Sequence, residues 1–387
     1  MKMIPYGRQD ITDEDIQSVV DVLRSDYLTQ GPLVPEFERK IASYCGVDFA
    51  VAVNSATSAL HIACMALDLG PGDWLWTSPV TFVASANCGL YCGAKVDFVD
   101  IDPKTYNLSP QALEEKLIVA KRERLLPKVV VAVHLAGQSC EMKAIHELSK
   151  IYGFRIIEDA SHAIGGSYLG AQIGACKYSD ITVFSFHPVK IITTAEGGMA
   201  VTKSAELASK MSLFRSHGIT RDITSMTRSP DGPWYYEQID LGYNYRMTEL
   251  QAALGVSQMN RLDAYVTKRH ELANRYIDLF KNQPMTLPWQ DPNGYSGFHL
   301  YIIRLKLHEI KKTHLEVFEC LRAKNIAVNL HYIPVYRHPY YIELGIGSTA
   351  CFEAESYYAE AISLPLYATL TFSEQDYVAS SLIDCLN

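Results

Sequence analysis

The sequence predicts an α/β protein, with a large, mainly parallel sheet domain followed by a small α+β C-terminal domain. Short apolar runs rich in β-branched residues alternate with helical stretches from residue 49 to about residue 201. These runs are apolar throughout, as expected of parallel strands that are buried on both faces. Beyond residue 294 an alternating strand and several helices follow, which indicates a second, smaller unit.

Local signals predict the individual elements. Thr12, followed by the acidic residues 13–15, predicts an N-capped helix that runs through Leu23. The segment 25–32 ends in Gly-Pro and is predicted to be a loop, and a helix runs from about Pro35 to Tyr44. The predicted strands are Phe49–Val53, Trp74–Thr77, Lys95–Val99, Lys128–Val133, Arg155–Glu158, Ile181–Phe184 and Met199–Val201. The predicted helices are Ser55–Leu67, Thr81–Tyr91, Pro110–Val119, Met142–Tyr152 and Met247–Asn260. The C-terminal unit is predicted to contain a strand, His299–Lys306, and helices Leu315–Lys324, Phe352–Ile362 and Ser373–Leu386.

Composition and charge narrow the class of protein. The 387 residues are 48% hydrophobic and 20% charged, as in ordinary globular proteins, and the net charge of −8 argues against general binding to nucleic acid or anionic membranes. We find no leader and no apolar run of membrane-spanning length, so a cytoplasmic location is expected. The nine cysteines are scattered without C-x-x-C spacing, which predicts buried, reduced thiols rather than a disulfide framework or a metal site.

The segment Ser185–Lys190 is the most informative stretch of the chain. It follows one predicted strand, and Gly197-Gly198 is expected to supply positive φ angles for a sharp return into the next. A lysine held at a strand end in apolar surroundings loses hydration, which favours its neutral form. A neutral amine can form a Schiff base with an aldehyde, as in pyridoxal-phosphate enzymes. The alternative is a solvated surface lysine.

Other side chains with suitable chemistry follow neighbouring strands. The small residues 54–58 open a helix whose N-terminus suits a phosphate, although they also suit a plain helix cap. Phe82 could stack on a flat ring or belong to the core. Asp159 could bond a protonated pyridine nitrogen with His162 beside it, or both could be structural. The segment 242–246 offers an amide and a guanidinium before a helix. Ligands gather at such strand ends, so the set together predicts a pyridoxal-phosphate site.

The chain resembles the DegT/DnrJ/EryC/StrS family of sugar-nucleotide aminotransferases, which have the aspartate-aminotransferase type fold (fold type I) and use pyridoxal 5'-phosphate. The resemblance covers essentially the whole chain. Its motifs are Asn-Ser-Ala-Thr-Ser-Ala-Leu (54–60), Thr-Phe-Val-Ala (81–84), Glu-Asp-Ala-Ser-His (158–162), Ser-Phe-His-Pro-Val-Lys (185–190), Ala-Glu-Gly-Gly (195–198), Arg-Ser-His-Gly-Ile (215–219) and Tyr-Asn-Tyr-Arg-Met-Thr-Glu-Leu-Gln-Ala-Ala-Leu-Gly (243–255).

The resemblance implies a role for each matching residue. Lys190 would bind the cofactor covalently and move the proton, and Asp159 would keep the pyridine nitrogen protonated. The other cofactor contacts would be Ala56, Thr57, Phe82, His162, Ser185 and, from the partner subunit of a homodimer, the residue corresponding to Asn244. It also implies an N-terminal segment with an active-site loop over residues 1–34, a large cofactor-binding domain over 35–260, and a linking helix with a small C-terminal domain over 261–387.

Within this family the likeness is greatest to the transaminases of pseudaminic acid biosynthesis. That likeness rests on residues 4–7, 25–32, 192–198 and 331–336. It implies transfer of the amino group of L-glutamate to C4 of a UDP-4-keto-6-deoxy-N-acetyl-L-hexosamine, giving UDP-4-amino-4,6-dideoxy-N-acetyl-β-L-altrosamine. Arg215, Arg228 and Arg246 are candidate partners of the anionic groups. The expected substrate-binding residues are Tyr6, Asp26, Tyr27, Leu28, Thr29, His331, Tyr332, Ile333 and Pro334.

Three alternatives differ in reaction or in substrate. A pyridoxal-phosphate sugar dehydratase uses the same scaffold, but its relatives carry histidine in place of Lys190. A non-catalytic regulatory module would have no need of the intact set Lys190, Asp159 and Ser185. The same chemistry on another nucleotide sugar, such as perosamine formation from a GDP-linked ketone, leaves every motif unchanged.

Overall fold

In the computed structural model, which describes residues 3–346 and 351–386, the chain forms the predicted α/β fold with a large sheet and a smaller C-terminal sheet. The strands are β1 Ile4–Pro5, β2 Phe49–Val53, β3 Trp74–Thr77, β4 Lys95–Phe98, β5 Val129–Val133, β6 Arg155–Asp159, β7 Ser167–Tyr168, β8 Ala171–Gln172, β9 Ile181–Ser185, β10 Gly198–Thr202, β11 Ile219–Thr220, β12 Glu237–Gln238, β13 Met285–Thr286, β14 Gly294–Tyr295, β15 Tyr301–Leu305, β16 Ile326–Ala327 and β17 Ala361–Leu364. The helices are α1 Asp13–Leu23, α2 Leu33–Cys45, α3 Ala56–Ala66, α4 Ala84–Tyr91, α5 Pro110–Glu123, α6 Met142–Tyr152, α7 Ala205–Arg215, α8 Glu249–Met259, α9 Leu262–Phe280, α10 His314–Ala323, α11 Pro339–Glu343, α12 Phe352–Glu360 and α13 Phe372–Leu386.

The large sheet is mainly parallel, as the sequence predicts. Its strand order is β2-β10-β9-β6-β5-β3-β4, and all neighbouring pairs from β9 to β4 are parallel. Strand β10 is antiparallel to both of its neighbours, β2 and β9. The connection from β9 to β10, residues 186–197, contains no helix, so it returns the chain beside β9 instead of crossing over the sheet. This connection carries Lys190.

Alternate residues of one central strand explain why its sequence is apolar throughout. In β5, Val129 and Val131 pack against the side of the sheet covered by α3 and α4. Val130 and Ala132 pack with the helices α5 and α6 on the other side. All four side chains are fully buried. Burial on both faces is therefore the physical reason for the continuous pattern.

The C-terminal part has its own apolar cluster around the antiparallel sheet β13-β15-β17, with contributions from α9, α10 and α13. Strand β1 joins this part by pairing with β16, which buries Ile4 in the same cluster. The prediction of a helix from Phe352 to Ile362 is wrong at its end. The helix stops at Glu360, because Ala361–Leu364 forms strand β17 and pairs with β15.

The cysteine prediction also needs correction. Cys320 of α10 and Cys385 of α13 form a disulfide that joins two helices 65 residues apart in sequence. The two helices pack side by side, which brings together thiols that their spacing does not relate. The other cysteines are free thiols, and Cys92 alone among them is partly exposed; they are Cys45, Cys64, Cys88, Cys92, Cys140, Cys176 and Cys351.

Helix α7 was not identified from the sequence. It begins after Ser204, whose hydroxyl accepts a hydrogen bond from the Leu207 amide as an N-cap. Over residues 3–346 and 351–386, no helix has both the length and the apolar character needed to cross a membrane.

Candidate active site

A cavity of about 560 Å³ opens where strands of the large sheet end. Strands β5, β6 and β9 contribute Val133, Asp159 and Ser185 from their last positions. The N-terminus of α3 closes one side and segment 329–332 of the C-terminal part closes another. The sequence-predicted residues that line it are Tyr6, Ala56, Thr57, Phe82, Asp159, His162, Ser185, Lys190, His331 and Tyr332. The cavity therefore brings together groups from widely separated parts of the chain.

Lys190 lies in a tightly bonded connection. The Phe186 amide donates to the Gly197 carbonyl, and the Phe186 carbonyl accepts from the Thr194 amide and the Thr193 hydroxyl. Burial lowers the pKa of Lys190 to about 8, although the negative charge of Asp159 acts in the opposite direction. A substantial neutral fraction near physiological pH follows, as expected of an amine that reacts with an aldehyde.

The glycines after Lys190 serve a purpose other than the one predicted. Positive φ in this connection falls on Ala195, at 65°, and neither Gly197 nor Gly198 has it. A Cβ on Gly198 would lie 2.5 Å from the Ala56 amide nitrogen. The absence of a side chain therefore allows the N-terminus of α3 to lie directly against the start of β10.

The first turn of α3 presents backbone amides to the cavity. The Ser55 hydroxyl caps the Ser58 amide, and the Ser58 hydroxyl donates to Asn54 Oδ1 at 2.7 Å. These bonds satisfy the cap while Ala56 and Thr57 remain on the cavity wall. The first amides of a helix have no partner within the helix, so this end of the cavity attracts an anion. The cap and the anion site are thus compatible.

Asp159 is buried at the end of β6 and is held by hydroxyl groups. Ser85 Oγ donates to Oδ2 at 2.7 Å, while the Ser161 amide and hydroxyl donate to Oδ1 at 3.1 and 2.6 Å. The Ser85 hydroxyl also bonds Thr81 Oγ1 at 2.7 Å. Sequence reasoning missed Ser85, because a serine inside a helix gives no sign that it reaches a strand end.

His162 is buried beside Asp159 and is held in one tautomer. The Ala136 amide donates to Nδ1 at 3.3 Å, so Nε2 carries the proton and donates to the Tyr332 hydroxyl at 3.2 Å. Burial lowers the pKa of His162 well below its usual range, and the charge of Lys190 adds to this effect. His162 is therefore a neutral, fixed hydrogen-bond donor.

Phe82 presents an open aromatic ring to the cavity. Its side chain is 59% exposed, and its centroid lies 6.2 Å from that of Tyr332. A core position is thereby excluded for Phe82. An exposed ring beside a carboxylate and an amine suits a flat ligand that stacks on it.

Tyr6 and His331 form the wall on the side of the C-terminal part. Their rings lie 4.9 Å apart. Asn329 donates to His331 Nε2, so Nδ1 carries the proton and donates to the Ser363 hydroxyl at 2.8 Å. Burial lowers the pKa of His331 to about 3, and the charge of Lys190 adds to this effect.

Several predicted residues lie outside the cavity of their own chain. Asp26, Tyr27, Leu28 and Thr29 form an exposed loop against α8, where Thr29 pairs with Thr248. Ile333 and Pro334 follow the lining residue Tyr332 without lining the cavity themselves. Asn244 is exposed, and its main chain pairs with Ser216.

The candidate arginines are also absent from the described residues that line the cavity. Arg215 is engaged elsewhere, since its Nη1 donates to Glu38 Oε1 at 2.6 Å and to the Ala52 carbonyl at 2.8 Å. The main chain of Arg246 pairs with Val53. The amide of Arg228 donates to Glu237 in an outer loop.

Comparison with known proteins agrees with this geometry. The sequence matches the DegT/DnrJ/EryC1/StrS aminotransferase family over residues 9–383. A UDP-4-amino-4,6-dideoxy-N-acetyl-beta-L-altrosamine transaminase of Campylobacter jejuni is 37% identical over 386 residues, 99% of this chain and 98% of that protein. A GDP-perosamine synthase of Caulobacter vibrioides is 35% identical over 354 residues, 91% of this chain and 90% of that protein.

Two solved structures have the same fold over nearly the full length. Helicobacter pylori PseC, an aminotransferase involved in the biosynthesis of pseudoaminic acid, superposes with a TM-score of 0.90 at 32% identity, covering 100% of this chain and 99% of that one. The Streptococcus pneumoniae protein Spr1654 in its PLP form superposes with a TM-score of 0.88 at 29% identity, covering 99% of this chain and 98% of that one.

The chain belongs to the DegT/DnrJ/EryC1/StrS aminotransferase family, and it is a sugar aminotransferase that depends on pyridoxal phosphate. The predictions of family, fold, enzyme class and cofactor are confirmed. Transamination is accordingly favoured over the dehydratase and the non-catalytic alternatives.

Proposed function

We propose that this enzyme moves the amino group of L-glutamate to C4 of a UDP-4-keto-6-deoxy-N-acetyl-L-hexosamine, in the pseudaminic acid pathway. The observation that carries the aminotransferase site is the meeting of Lys190, Asp159 and the N-terminus of α3 on one cavity. The choice of sugar is supported by the names of two relatives that match nearly the whole chain.

The residues of the cavity fit pyridoxal phosphate. Bound through its aldehyde, the cofactor supplies an electron sink for the carbon that loses a proton. The amides of Ala56 and Thr57 and the Ser185 hydroxyl suit its phosphate, and the open face of Phe82 suits its ring. Asp159 retains lone pairs beyond its three hydroxyl and amide donors, and its charge suits a protonated ring nitrogen.

Lys190 is the residue that moves the proton in this proposal. Its Nζ would take the α-proton of glutamate, and when the sugar is aminated it would deliver a proton to C4 of the sugar. A pKa near 8 suits both halves of this task, because the neutral and the charged amine are both populated near neutral pH. His162 Nε2–H donates to the Tyr332 hydroxyl and so holds Tyr332 on the wall of the same cavity.

The anionic parts of the substrates need positive charge, and among the described residues that line the cavity Lys190, which the cofactor would engage, is the one lysine or arginine. Glutamate has two carboxylates and a UDP-sugar has a diphosphate, and both bind best to arginine or lysine. We therefore propose a homodimer in which the partner contributes Asn244 and cationic groups to each site. Asn244 and the loop 26–29 are exposed on a single chain, as contacts with a second copy require.

Subunit complementation tests the shared site. The Lys190→Ala variant should be inactive and the Asn244→Ala variant inactive or weakened. Equal amounts of the two chains are unfolded, mixed and refolded together. In a mixed dimer one site is intact and the other carries both changes. Because about half of the dimers are mixed, about a quarter of all sites are intact, and the mixed dimers should contribute about a quarter of wild-type activity. Mixed material no more active than the average of the two variants would refute the sharing of Asn244.

Direct assay tests the sugar. The enzyme is supplied with L-glutamate and with either the UDP-4-keto-6-deoxy-N-acetyl-L-hexosamine or a GDP-linked 4-keto-6-deoxy sugar, and amino-sugar product is identified by mass spectrometry. The proposal expects turnover of the UDP substrate, with kcat/KM well above that of the GDP substrate. Preference for the GDP substrate would favour perosamine formation, the activity named for a relative at 35% identity.

A further inference from the structure

Glu196 is a carboxylate on the wall of the active-site cavity that the mechanism above does not use. Among the described residues that line the cavity, Asp159 and Glu196 are the two acidic ones. Asp159 is buried and held by three donors, whereas Glu196 is exposed. Within residues 3–346 and 351–386, no hydrogen bond or ion pair engages the Glu196 carboxylate. This carboxylate is therefore open to hydrogen bonds from a ligand.

The main chain of Glu196 is fixed, although its side chain is open. Its carbonyl accepts from Thr194 Oγ1 at 2.7 Å and from Gln251 Nε2 at 2.8 Å. Its amide donates to the Thr194 carbonyl at 2.9 Å, and the next carbonyl, that of Gly197, accepts from the Phe186 amide at 2.9 Å. These bonds tie Glu196 to α8 and to the residue that follows β9.

The residue before Glu196 has a strained backbone. Ala195 has a φ of 65°, in the left-handed region, which costs a residue with a Cβ about 1 kcal/mol or more. The Ala195 amide donates to Thr193 Oγ1 at 3.0 Å, a bond that helps to hold this conformation. Strain of this kind is concentrated at binding and catalytic sites. Here the strained turn leads directly to Glu196 on the cavity wall, in the same connection as Lys190.

The charge of Glu196 determines which part of a substrate it can bind. An ionised carboxylate accepts hydrogen bonds and donates none. The carboxylates of glutamate and the diphosphate of a nucleotide sugar are also anions that only accept, so Glu196 repels them. A hydroxyl group on a pyranose ring, in contrast, has a proton to donate. Glu196 is therefore complementary to the sugar and not to the amino donor.

We propose that Glu196 is a specificity-determining residue for the amino acceptor, and that its carboxylate accepts a hydrogen bond from a ring hydroxyl of the keto sugar. This inference rests on the proposed function, in which a nucleotide-linked 4-keto sugar is the acceptor. A hydrogen bond to a charged acceptor is stronger than one between neutral groups. Glu196 thus contributes to binding in the sugar half of the reaction and not in the glutamate half.

The test measures the two halves of the reaction separately, through the absorbance of the bound cofactor. Enzyme with attached cofactor is mixed with increasing L-glutamate, and enzyme that has taken up the amino group is mixed with increasing keto sugar. In Glu196→Leu the half-saturating concentration of sugar should rise about tenfold to a hundredfold, because a hydrogen bond to a charged group is lost. The half-saturating concentration of glutamate should stay within about twofold of wild type or fall, because a screened, repelling charge has been removed.

Two further variants control for structural effects. Glu196→Gln keeps an acceptor oxygen without the charge, so it should raise the half-saturating concentration of sugar less than Glu196→Leu does. Glu115→Leu is the matched control, because Glu115 is exposed on α5 and lies outside the cavity, and it should change neither half. An unchanged half-saturating concentration of sugar in Glu196→Leu would overturn the proposal. Equal losses in both halves would also overturn it, since they would indicate a structural role.

The wild-type enzyme separates this inference from the proposed function. The UDP-linked and the GDP-linked 4-keto-6-deoxy sugars both carry ring hydroxyls, so the variants are assayed with whichever of the two the wild-type enzyme aminates. Wild-type enzyme that reacts with glutamate but with neither sugar would contradict the proposed class of acceptor, and with it the role of Glu196. Wild-type enzyme that aminates a sugar, beside a Glu196→Leu variant that binds the sugar equally well, would contradict the role of Glu196 alone.

Discussion

The pH dependence of cofactor attachment follows from the environment of Lys190. An ordinary lysine has a pKa near 10.5, whereas burial lowers that of Lys190 to about 8. At pH 7 the neutral fraction is then about 10%, compared with about 0.03% for an unperturbed lysine. Since the neutral amine is the species that attacks an aldehyde, attachment near neutral pH should be roughly 300-fold faster than for a free lysine of equal intrinsic reactivity.

The assay follows the initial rate at which the apoprotein takes up pyridoxal phosphate covalently, fixed by borohydride reduction and located by peptide mapping. Measured from pH 6.5 to pH 10, the rate should rise tenfold per pH unit at first and level off above about pH 8. The rate for Nα-acetyl-lysine, whose side-chain amine is free, should still be rising at pH 10 under the same conditions. Lys190→Arg should show no fixation at position 190. If the rate for the protein had the same pH dependence as the rate for Nα-acetyl-lysine, the argument that burial lowers the pKa of Lys190 would be refuted.

Four further predictions concern stability and cofactor retention. Lys190→Met should stabilise the apoprotein at pH 7 by at most about 3 kcal/mol, because the unfolded chain binds the lysine proton more tightly than the folded one. For the same reason the free energy of unfolding, measured by denaturant titration, should rise between pH 8 and 10.5 in wild type but not in the variant. Phe82→Ala should leave thermal stability nearly unchanged but weaken cofactor retention about tenfold, whereas the control Phe352→Ala, at a side chain 78% exposed and outside the cavity, should change neither. Cys320→Ser should lower the free energy of unfolding by up to about 4 kcal/mol, and a reducing agent should then have no further effect on unfolding. Arg215→Met should destabilise the fold by about 1–3 kcal/mol without raising KM for glutamate, since Arg215 bonds Glu38 and the Ala52 carbonyl within the fold. A raised KM would indicate instead that Arg215 binds the substrate.

The sequence predicted the large sheet well, for a physical reason. Strands such as Phe49–Val53 and Trp74–Thr77 were found with their observed ends, because nearly all of their residues are apolar and most of them are buried. The end of α12 was misjudged, since Ala361–Leu364 becomes a strand only by pairing with β15, a tertiary contact. The same holds for Cys320 and Cys385, which meet only when α10 and α13 pack.

The site was predictable where its residues end strands. Asp159 and Ser185 occupy the last positions of β6 and β9, and Lys190 lies five residues after Ser185 in the connection that leaves β9, so a parallel sheet implies their proximity. Ser85 could not be found in this way, because its bond to Asp159 depends on how α4 lies over the sheet. Gly198 was correctly singled out, but its reason, the close approach of α3, is visible only in three dimensions.

The absorbance spectrum of the purified holoenzyme tests the central claim most directly. The spectrum is recorded first alone, then after L-glutamate, and then after the UDP-4-keto-6-deoxy-N-acetyl-L-hexosamine. The account predicts a yellow band from cofactor attached to Lys190, bleached by glutamate and restored by the sugar, with Lys190→Ala as the control that lacks the band. Bleaching that the sugar does not reverse would contradict the proposed substrate. A wild-type protein without the band in the presence of added cofactor would contradict the role of Lys190.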